Sequence, residues 1–395
     1  MQTLFVGIDV SKDSFSVAGL DGQGATAFSL TTGMNRAGFS ELFKAISSHS
    51  VALSDVVVAM ESSGCYHLNL FSFLSSKGLR TLVINPLVVA NFSRLSLRKT
   101  KTDRKDAFTI ARFILSHRDS VEQFTILQAH QDLKDLARER EFTLKMISSI
   151  KNEIKRLLQS TFPELEHMGN VFSDTMLQFL SVFPSARLIR MAEPQAISHA
   201  FEQRDKRKRI AVPPETIRRA ARNSIAAVSL AKEMILPGKI ETLLHLEERL
   251  AQLTKMLVKL CETTMQEDLK ILTSIDGINN ITAAPFLAEM GDWRGFRSYK
   301  QLIAFAGIDP SIHQSGTIQG VSRLSKRGNR HLRRLIWLMT FCAIRMEGPF
   351  KAYFIRRKTQ GLPFKKALFA TAHKLVRVIF SMLNNRTCYV AQPTA

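Results

Sequence analysis

Short apolar runs alternate with turn signals over the first part of the chain. The predicted elements, in chain order, are strands at 4–10, 15–20 and 25–30, a helix at about 35–48, a strand at 55–60, a helix at about 68–77 and a strand at 81–84. Ser-Lys-Asp and Asp-Gly separate the first three strands, which favours an antiparallel meander. The run at 55–60 is nearly continuous, as in strands buried on both faces. This order predicts an α/β domain over residues 1–125.

Beyond residue 127 the apolar positions follow a heptad. Two segments share this spacing, and their apolar positions are Ile147, Ile150, Ile154 and Leu157, then Leu243, Leu246, Leu250, Leu253, Leu257 and Leu260. The pattern predicts a helical coiled-coil segment over 126–268, formed as a long antiparallel hairpin or as a coiled-coil dimer arm. An ordinary helical-bundle core has the same spacing. The remaining residues, 269–395, are predicted to be mostly α-helical.

The chain is strongly basic. Lys and Arg number 55 against 34 Asp and Glu, a formal charge of +21, which attracts a polyanion such as DNA or RNA. An anionic membrane surface is the weaker alternative, and no apolar run approaches the ~20 residues of a membrane span. The chain starts without a signal-type pattern, so we expect a cytoplasmic protein without a membrane partner. Its four cysteines lack paired spacing, so neither a disulfide framework nor a zinc site is indicated.

Basic clusters mark candidate phosphate-binding segments. Residues 204–209 (RDKRKR) and the arginines 218, 219 and 222 flank Pro213-Pro214, where we expect a loop and a helix facing phosphates, although a solvated surface has the same composition. Gly277 and Gly291 bracket an apolar helix, as in a helix-hairpin-helix clamp whose backbone N–H groups approach a phosphate. The loop GIDPSIHQSGT follows, and then the dense basic run SRLSKRGNRHLRRL.

Four carboxylates are the candidate metal ligands. Asp9 lies inside the first strand, where an acidic residue needs a compensating partner, and a cation is the simplest one. Glu61 ends the buried strand, at the edge where α/β sheets commonly place chemistry. Asp103 and Asp106 are three apart at the start of a helix, with Thr102 as a candidate N-cap, so both lie on one helix face.

Such a set can hold two hard cations, and two Mg²⁺ ions about 4 Å apart serve in-line phosphoryl displacement. The structural alternative treats Asp103 and Asp106 as dipole-favoured residues of a first helical turn and Asp9 as part of a turn. Basic residues surround the last pair and would bind phosphates; they are Arg98, Lys99, Lys101, Arg104 and Lys105.

These motifs resemble a known family. GIDVSK with Asp9, AMESSGCY with Glu61 and KTKTDRKDA with Asp103 and Asp106, followed by GIDPSIHQSG and SKRGNRHLRR, are similar to the DEDD transposases of bacterial insertion sequences, which are related to the Piv DNA invertase. The similarity covers both ends of the chain and the order of all motifs. Residues 165–235 carry no motif that we can assign.

The resemblance implies an RNase H-like (RuvC-like) N-terminal domain, a coiled-coil segment and a C-terminal transposase domain over 269–395 with a catalytic serine. It also implies Mg²⁺, with two ions expected and Mn²⁺ as an alternative. The implied partners are donor and target DNA, a structured non-coding guide RNA and further copies of the chain, as a dimer or a tetramer. Such an enzyme would transpose or recombine DNA at specific sites.

The family's serine corresponds to Ser315 of the Ser-Gly pair. From the residues alone, Ser311, Ser322 and Ser325 are equal candidates. A serine hydroxyl needs a base or a cation to become a nucleophile. Mg²⁺ ions bound by the carboxylates would neutralise the developing charge while Ser315 attacks in line, giving a phosphoserine link. Phosphate contacts are expected nearby at Lys326, Arg327, Arg330, Arg333 and Arg334, the last four along one helix face and the positions beside it.

Two other functions use parts of the same set. A junction-resolving or other metal nuclease would need Asp9, Glu61, Asp103 and Asp106 with water as the nucleophile, and would not need Ser315. A non-catalytic nucleic-acid-binding scaffold would need only the basic surface. Guide-RNA use rests on the resemblance alone, because a basic surface binds either nucleic acid.

Overall fold

The chain forms two compact units. The computed structural model describes residues 3–49, 52–61, 66–84, 89, 92, 103–119, 131–202, 212–311, 314–315, 318–319 and 323–390, and between 310 and 323 it describes the backbone alone. The first unit contains Met1–Gln131, Lys270–Ile278 and Phe286–Ala395, and the second contains Asp132–Leu269 and Asn279–Pro285. The predicted N-terminal domain therefore shares a unit with most of the predicted C-terminal domain.

A five-stranded mixed sheet organises the N-terminal part. Its strands are β1 (Leu4–Val10), β2 (Ser14–Leu20), β3 (Thr26–Gly33), β4 (Val56–Glu61) and β5 (Arg80–Ile84). Their order is β3-β2-β1-β4-β5, antiparallel from β3 to β1 and parallel from β1 to β5. The predicted meander and both later strands are confirmed, since the alternation of apolar residues and the turn signals determined them locally.

Helices cover both faces of the sheet. They are α1 (Arg36–His49), α2 (His67–Ser76) and α3 (Asp103–Ser116). Because neighbouring side chains of a strand point to opposite faces, Val6 packs with Leu42 of α1 and Leu70 of α2, whereas Phe5 packs with Ile110 of α3. The predicted α/β class is confirmed for this part of the chain.

The second unit is helical. Its elements are α4 (Gln131–Thr161), α5 (Asp174–Val182), α6 (Ala186–Met191), α7 (Pro194–Glu202), α8 (Pro214–Arg222) and α9 (Leu230–Thr264). The helix predicted after Pro213-Pro214 is α8, whereas the cluster 204–209 lies outside the described residues.

The two heptad segments pack against each other in this unit. Successive polar contacts join Arg140 to Thr254 at 2.8 Å, Lys151 to Glu247 at 2.7 Å and Ser160 to Lys232 at 2.7 Å. Along these contacts the residue numbers of α4 increase while those of α9 decrease, so the two helices are antiparallel. Ile154 and Leu243 are buried in one core, which Phe179 of α5 also enters. The two heptad segments therefore pack antiparallel, and the chain between them forms α5 to α8. A coiled coil, as a hairpin or as a dimer arm, stays a prediction.

The C-terminal stretch is mostly helical, as predicted. Its elements are α10 (Gln266–Thr273), α11 (Asn280–Met290), α12 (Tyr299–Ala306), β6 (Pro310–Ser311), β7 (Gln314–Ser315), β8 (Ile318–Gln319), β9 (Arg323–Leu324), α13 (Arg330–Ala343), α14 (Pro349–Thr359) and α15 (Phe364–Asn385). No helix in the described ranges combines the length and the hydropathy that a membrane crossing requires.

Gly277 has a packing role. Its φ is +86°, and a β-carbon there would lie 2.8 Å from the carbonyl oxygen of Cys342, at the end of α13. The absence of a side chain therefore makes room for α13. A phosphate clamp between Gly277 and Gly291 stays a prediction.

Candidate active site

Asp9 and Glu61 occupy equivalent positions on two neighbouring parallel strands. The register of β1 and β4 ends with Ile8 opposite Met60, so Asp9 and Glu61 are the next residues on each strand. Both are half-buried, at the carboxyl ends of β1 and β4. Asp9 shares a sheet face with Phe5, and alternation places Glu61 on that same face, which is the one covered by α3.

Helix α3 approaches β1 at Gly7. A β-carbon at Gly7 would lie 2.2 Å from the carbonyl oxygen of Ala107 and 2.3 Å from the amide nitrogen of Ala111, so only glycine fits under the helix. Farther along α3, Leu115 lies 3.4 Å from the position of a β-carbon at Gly24, in the turn between β2 and β3. That turn is at the amino end of β1, so α3 runs antiparallel to β1.

This direction places the first turn of α3 at the carboxyl end of β1. Asp103 is the first residue of the helix and is exposed, whereas Asp106 is half-buried and directly precedes the close contact at Ala107. The predicted helix start is confirmed, and Thr102 lies outside the described residues. We call Asp9, Glu61, Asp103 and Asp106 the carboxylate edge: the first two lie at the carboxyl ends of neighbouring strands, and the last two lie in the first turn of the helix that covers that face.

The carboxylate edge differs chemically from the rest of its face. Farther toward the amino end, the face is apolar, with Phe5 and Leu20 against α3. At the edge, Asp9 pairs in register with Ser16, whose hydroxyl is 3.0 Å from that of Thr31. Within the described ranges, no three acidic, histidine or cysteine side chains are arranged so as to hold a metal ion. The acids thus share an edge without forming a ligand shell.

The structure describes two of the five basic residues predicted beside Asp103 and Asp106. Arg104 and Lys105 lie in the first turn of α3 and are exposed. Arg98, Lys99 and Lys101 lie outside the described residues.

Ser315 lies in a β-hairpin. Strand β7 pairs antiparallel with β8, and Ser315 lies opposite Ile318 in this register. The flanking strands β6 and β9 also pair antiparallel with each other. We call residues 310–324 the serine ribbon. The side chain of Ser315 lies outside the described part, as do the side chain of Ser311 and all of Ser322.

Hydrogen bonds close the base of the serine ribbon. Backbone amides of the returning segment donate to the outgoing one: Ser325 to Asp309 at 2.9 Å, Lys326 to Gly307 at 3.1 Å and Asn329 to Phe305 at 2.7 Å. The Ser325 hydroxyl also donates to the Asp309 carboxylate at 2.6 Å. Among the candidate serines, Ser325 therefore has a structural contact of its own.

Asn329 joins this base to α13. Its side-chain oxygen accepts the amides of His331 and Leu332 at 2.9 and 3.0 Å, as an N-cap does, and its amide donates to Glu289 at 2.8 Å. Sequence analysis missed this residue, although an Asn before a helical pattern is an N-cap signal.

The predicted phosphate contacts lie in and before α13. Lys326 and Arg327 are exposed and precede the helix, so the interpretation that Arg327 follows the same helix face as Arg330 is wrong. Arg330 is exposed in the first turn. One N–H of Arg333 donates to the carbonyl oxygen of Ala306 at 2.9 Å, so this side chain also anchors the end of α12. For Arg334, which is exposed, phosphate contact stays a prediction.

Two family models match the chain, at either end of it. A DEDD transposase model of the IS110 type, described as "Transposase", matches residues 6–163, and a model described as "Transposase IS116/IS110/IS902 family" matches residues 269–354. The first contains the carboxylate edge and the second contains the serine ribbon and α13.

Similar proteins extend over nearly the whole chain. An "Insertion element IS116 uncharacterized 44.8 kDa protein" of Streptomyces clavuligerus is 24% identical, over 99% of this chain and 97% of its own length. The "Pilin gene-inverting protein" of Moraxella bovis is 22% identical, over 97% and 96%. The "Transposase for insertion sequence element IS1111A" of Coxiella burnetii is 25% identical, over 97% and 90%.

Proposed function

Because the chain belongs to the DEDD transposase family of insertion sequences and is a DNA recombinase, we propose that it exchanges strands through a phosphoserine link at Ser315. The cation that would assist Ser315 would be held by Asp9, Glu61, Asp103 and Asp106. The observation that supports this proposal is the carboxylate edge: Asp9 and Glu61 end neighbouring parallel strands, and the helix that begins with Asp103 and Asp106 crosses the same face of the sheet at Gly7. We also propose that this sheet is RuvC-like, which its mixed order β3-β2-β1-β4-β5 supports.

The donor set suits a hard divalent cation. Carboxylate oxygens are the ligands that Mg²⁺ and Mn²⁺ prefer, and four of them offer enough charge for two ions. Asp9, Glu61 and Asp106 are half-buried, so a cation bound between them would be partly shielded from water. When bound, Mg²⁺ would neutralise charge that develops on a phosphate.

The protein's own step is attack by the serine. The Ser315 Oγ forms a bond to phosphorus as the bond to the 3′ oxygen breaks; the hydroxyl gives up its proton and the departing 3′ oxygen takes one. The number of phosphoester bonds is unchanged, so a 3′-hydroxyl of another strand can reverse the step without ATP. The base of the serine ribbon, fixed through Asp309 and Asn329, would hold the hairpin in place during both steps.

We further propose that the chain acts as a homo-oligomer, a dimer or a tetramer, on donor and target DNA, directed by a structured guide RNA. In such an assembly Ser315 and the carboxylate edge would belong to one subunit or to two. The long exposed surface of the α4–α9 hairpin, as a coiled-coil dimer arm, would be one interface.

The experiment compares single substitutions on supercoiled DNA. Ser315→Ala should abolish both recombination and the covalent protein–DNA adduct, whereas Asp9→Ala should abolish all cutting. Ser311→Ala and Ser322→Ala are matched controls on the same ribbon and should retain the adduct. Full strand cutting by the Ser315 variant would contradict the serine mechanism and favour a metal nuclease that uses water. Calorimetric titration with Mg²⁺ tests the scaffold alternative, which predicts no binding heat that depends on Asp9.

A further inference from the structure

The last part of the chain has an unusual charge distribution. Residues 348–395 contain nine Lys and Arg and no Asp or Glu. The preceding acid, Glu347, pairs with Lys351 one turn into α14. The other basic side chains of this segment therefore have no side-chain carboxylate of the same segment with which to pair. Only residues up to 354 lie within a matched family model.

Part of this charge gathers at one tyrosine. Three cationic groups lie within 6 Å of the Tyr353 ring centroid, namely Lys374 Nζ at 5.0 Å, Arg356 Cζ at 5.2 Å and Arg357 Cζ at 5.9 Å. Arg377 follows Lys374 by three residues, on the same side of α15. We call Arg356, Arg357, Lys374 and Arg377 the cationic cluster. It lies where α14 packs against α15.

Two members of the cationic cluster donate hydrogen bonds to neutral oxygens: Lys374 Nζ to the Pro349 carbonyl at 3.5 Å and an Arg357 N–H to the Gln360 side chain at 2.9 Å. Neither bond supplies a negative charge. Cation–π contact with Tyr353 is favourable for each cation, but it does not remove the repulsion among the cations. Burial, followed by the charges of Arg356 and Arg377, lowers the pKa of Lys374. The Nε of Arg357 is buried and finds no acceptor among the described residues. The carboxyl end of α14 favours Arg356 and Arg357 but does not account for Lys374, which lies on the other helix.

We propose that the cationic cluster binds the phosphodiester backbone of nucleic acid, at a site additional to the basic residues 326–334. A phosphate supplies the missing negative charge and can accept several N–H groups from two helices at once, and arginine suits this geometry. The Tyr353 ring holds Arg356 and Lys374 in place. The site positions nucleic acid without reading its sequence, because it offers charge and no arrangement specific to a base.

The inference rests on the proposed function only in that the chain binds nucleic acid. Its test is a binding measurement in metal-free buffer, where no strand is cut. Failure of the serine mechanism would leave this result unchanged, because no strand is cut in the binding measurement.

The test measures how affinity depends on salt. The variant R356Q/K374Q is compared with K358Q/K365Q, which removes the same charge from the same two helices. At 100° per residue, Lys358 lies about 200° from Arg356 and Lys365 about 180° from Lys374, so the control lysines point away from the cluster. Fluorescence anisotropy is measured with two probes, a 30-base-pair DNA duplex and a single-stranded RNA. Repeating it at several NaCl concentrations gives the slope of log affinity against log salt concentration for each probe.

For two lost phosphate contacts, the slope should become less steep by about 1.8 on duplex DNA, or by about 1.4 on single-stranded RNA. A change with only one of the two probes assigns the phosphate to that nucleic acid. The charge-preserving variant R356K/K374R should keep the original slope. Equal slopes for the two glutamine variants, or a loss in R356K/K374R as large as in R356Q/K374Q, would overturn the proposal.

Discussion

Substituting Gly7 by alanine tests whether the carboxylate edge depends on the closeness of α3 to β1. The added carbon would lie 2.2 Å from the Ala107 oxygen and 2.3 Å from the Ala111 nitrogen, both backbone atoms. Ordinary contacts of this kind are about 3.3 Å or longer, so α3 must move away by roughly 1 Å. The first turn of α3 moves with it, and Asp103 and Asp106 recede from Asp9.

Both stability and catalysis should suffer, by different amounts. Overpacking of this size costs roughly 1–3 kcal/mol, which a folded chain can tolerate. A 1 Å misplacement of catalytic groups can cost about 10²-fold in rate. We therefore expect Gly7→Ala to fold with a lowered Tm, to bind DNA as before, since the predicted phosphate contacts at 326–334 are far from Gly7 in sequence, and to form the proposed covalent adduct about 10²-fold more slowly.

The assay combines thermal unfolding, DNA binding and the rate of adduct formation. The control is Gly22→Ala in the turn between β2 and β3, because a β-carbon there would meet only the Thr3 carbonyl oxygen, at 3.9 Å. It should match the unmodified chain in all three measurements. If Gly7→Ala folds and forms the adduct at the original rate, the close approach of α3 does not position the acids.

Three further results are expected. The hydrogen bond from Arg187 lowers the pKa of Glu233, so the stability that this carboxyl contributes is present above its unfolded pKa and is lost as pH falls through the lower folded value. Glu233→Gln should lower the free energy of unfolding by roughly 1–3 kcal/mol at pH 7, and Tm should then fall less steeply as the solution is acidified. An unchanged dependence of Tm on pH would contradict this role of Glu233. Burial raises the pKa of Cys261 to about 12, so iodoacetamide at pH 8 should label the exposed Cys388 and spare Cys261 until the chain is unfolded, as peptide mass spectrometry would show. Asn329→Ala should lower the free energy of unfolding by about 1–2 kcal/mol in denaturant, because the N-cap of α13 is lost. A change below about 0.5 kcal/mol would show that Asn329 does not stabilise α13 as an N-cap.

Local patterns in the sequence were sufficient for the elements of the sheet. The first three strands are short, apolar and separated by turn signals, and each lies within a few residues of its predicted limits. The heptads likewise identified α4 and α9, because burial along one helix face leaves a periodic trace. Their antiparallel pairing had to be left open, since a dimer arm has the same spacing.

Contacts between distant segments could not be predicted. Nothing in the spacing of Gly7 shows that α3 passes over it, because that contact joins residues one hundred positions apart. The hairpin around Ser315 has strands of two residues, too short for any periodicity to show. The cationic cluster was missed for a similar reason: its charges come from two helices and meet only at Tyr353.

The alternation of side chains along β1 limits how this protein can change during evolution. Gly7 and Asp9 are two residues apart, so one lies beneath the helix and the other at the sheet edge on the same face. Inserting or deleting a single residue between them would turn the acid toward the opposite face, into the core shared with α1 and α2. Descendants of this sequence are therefore expected to keep that interval unchanged, while insertions between Glu61 and Asp103 are tolerated as long as both ends return to the same edge.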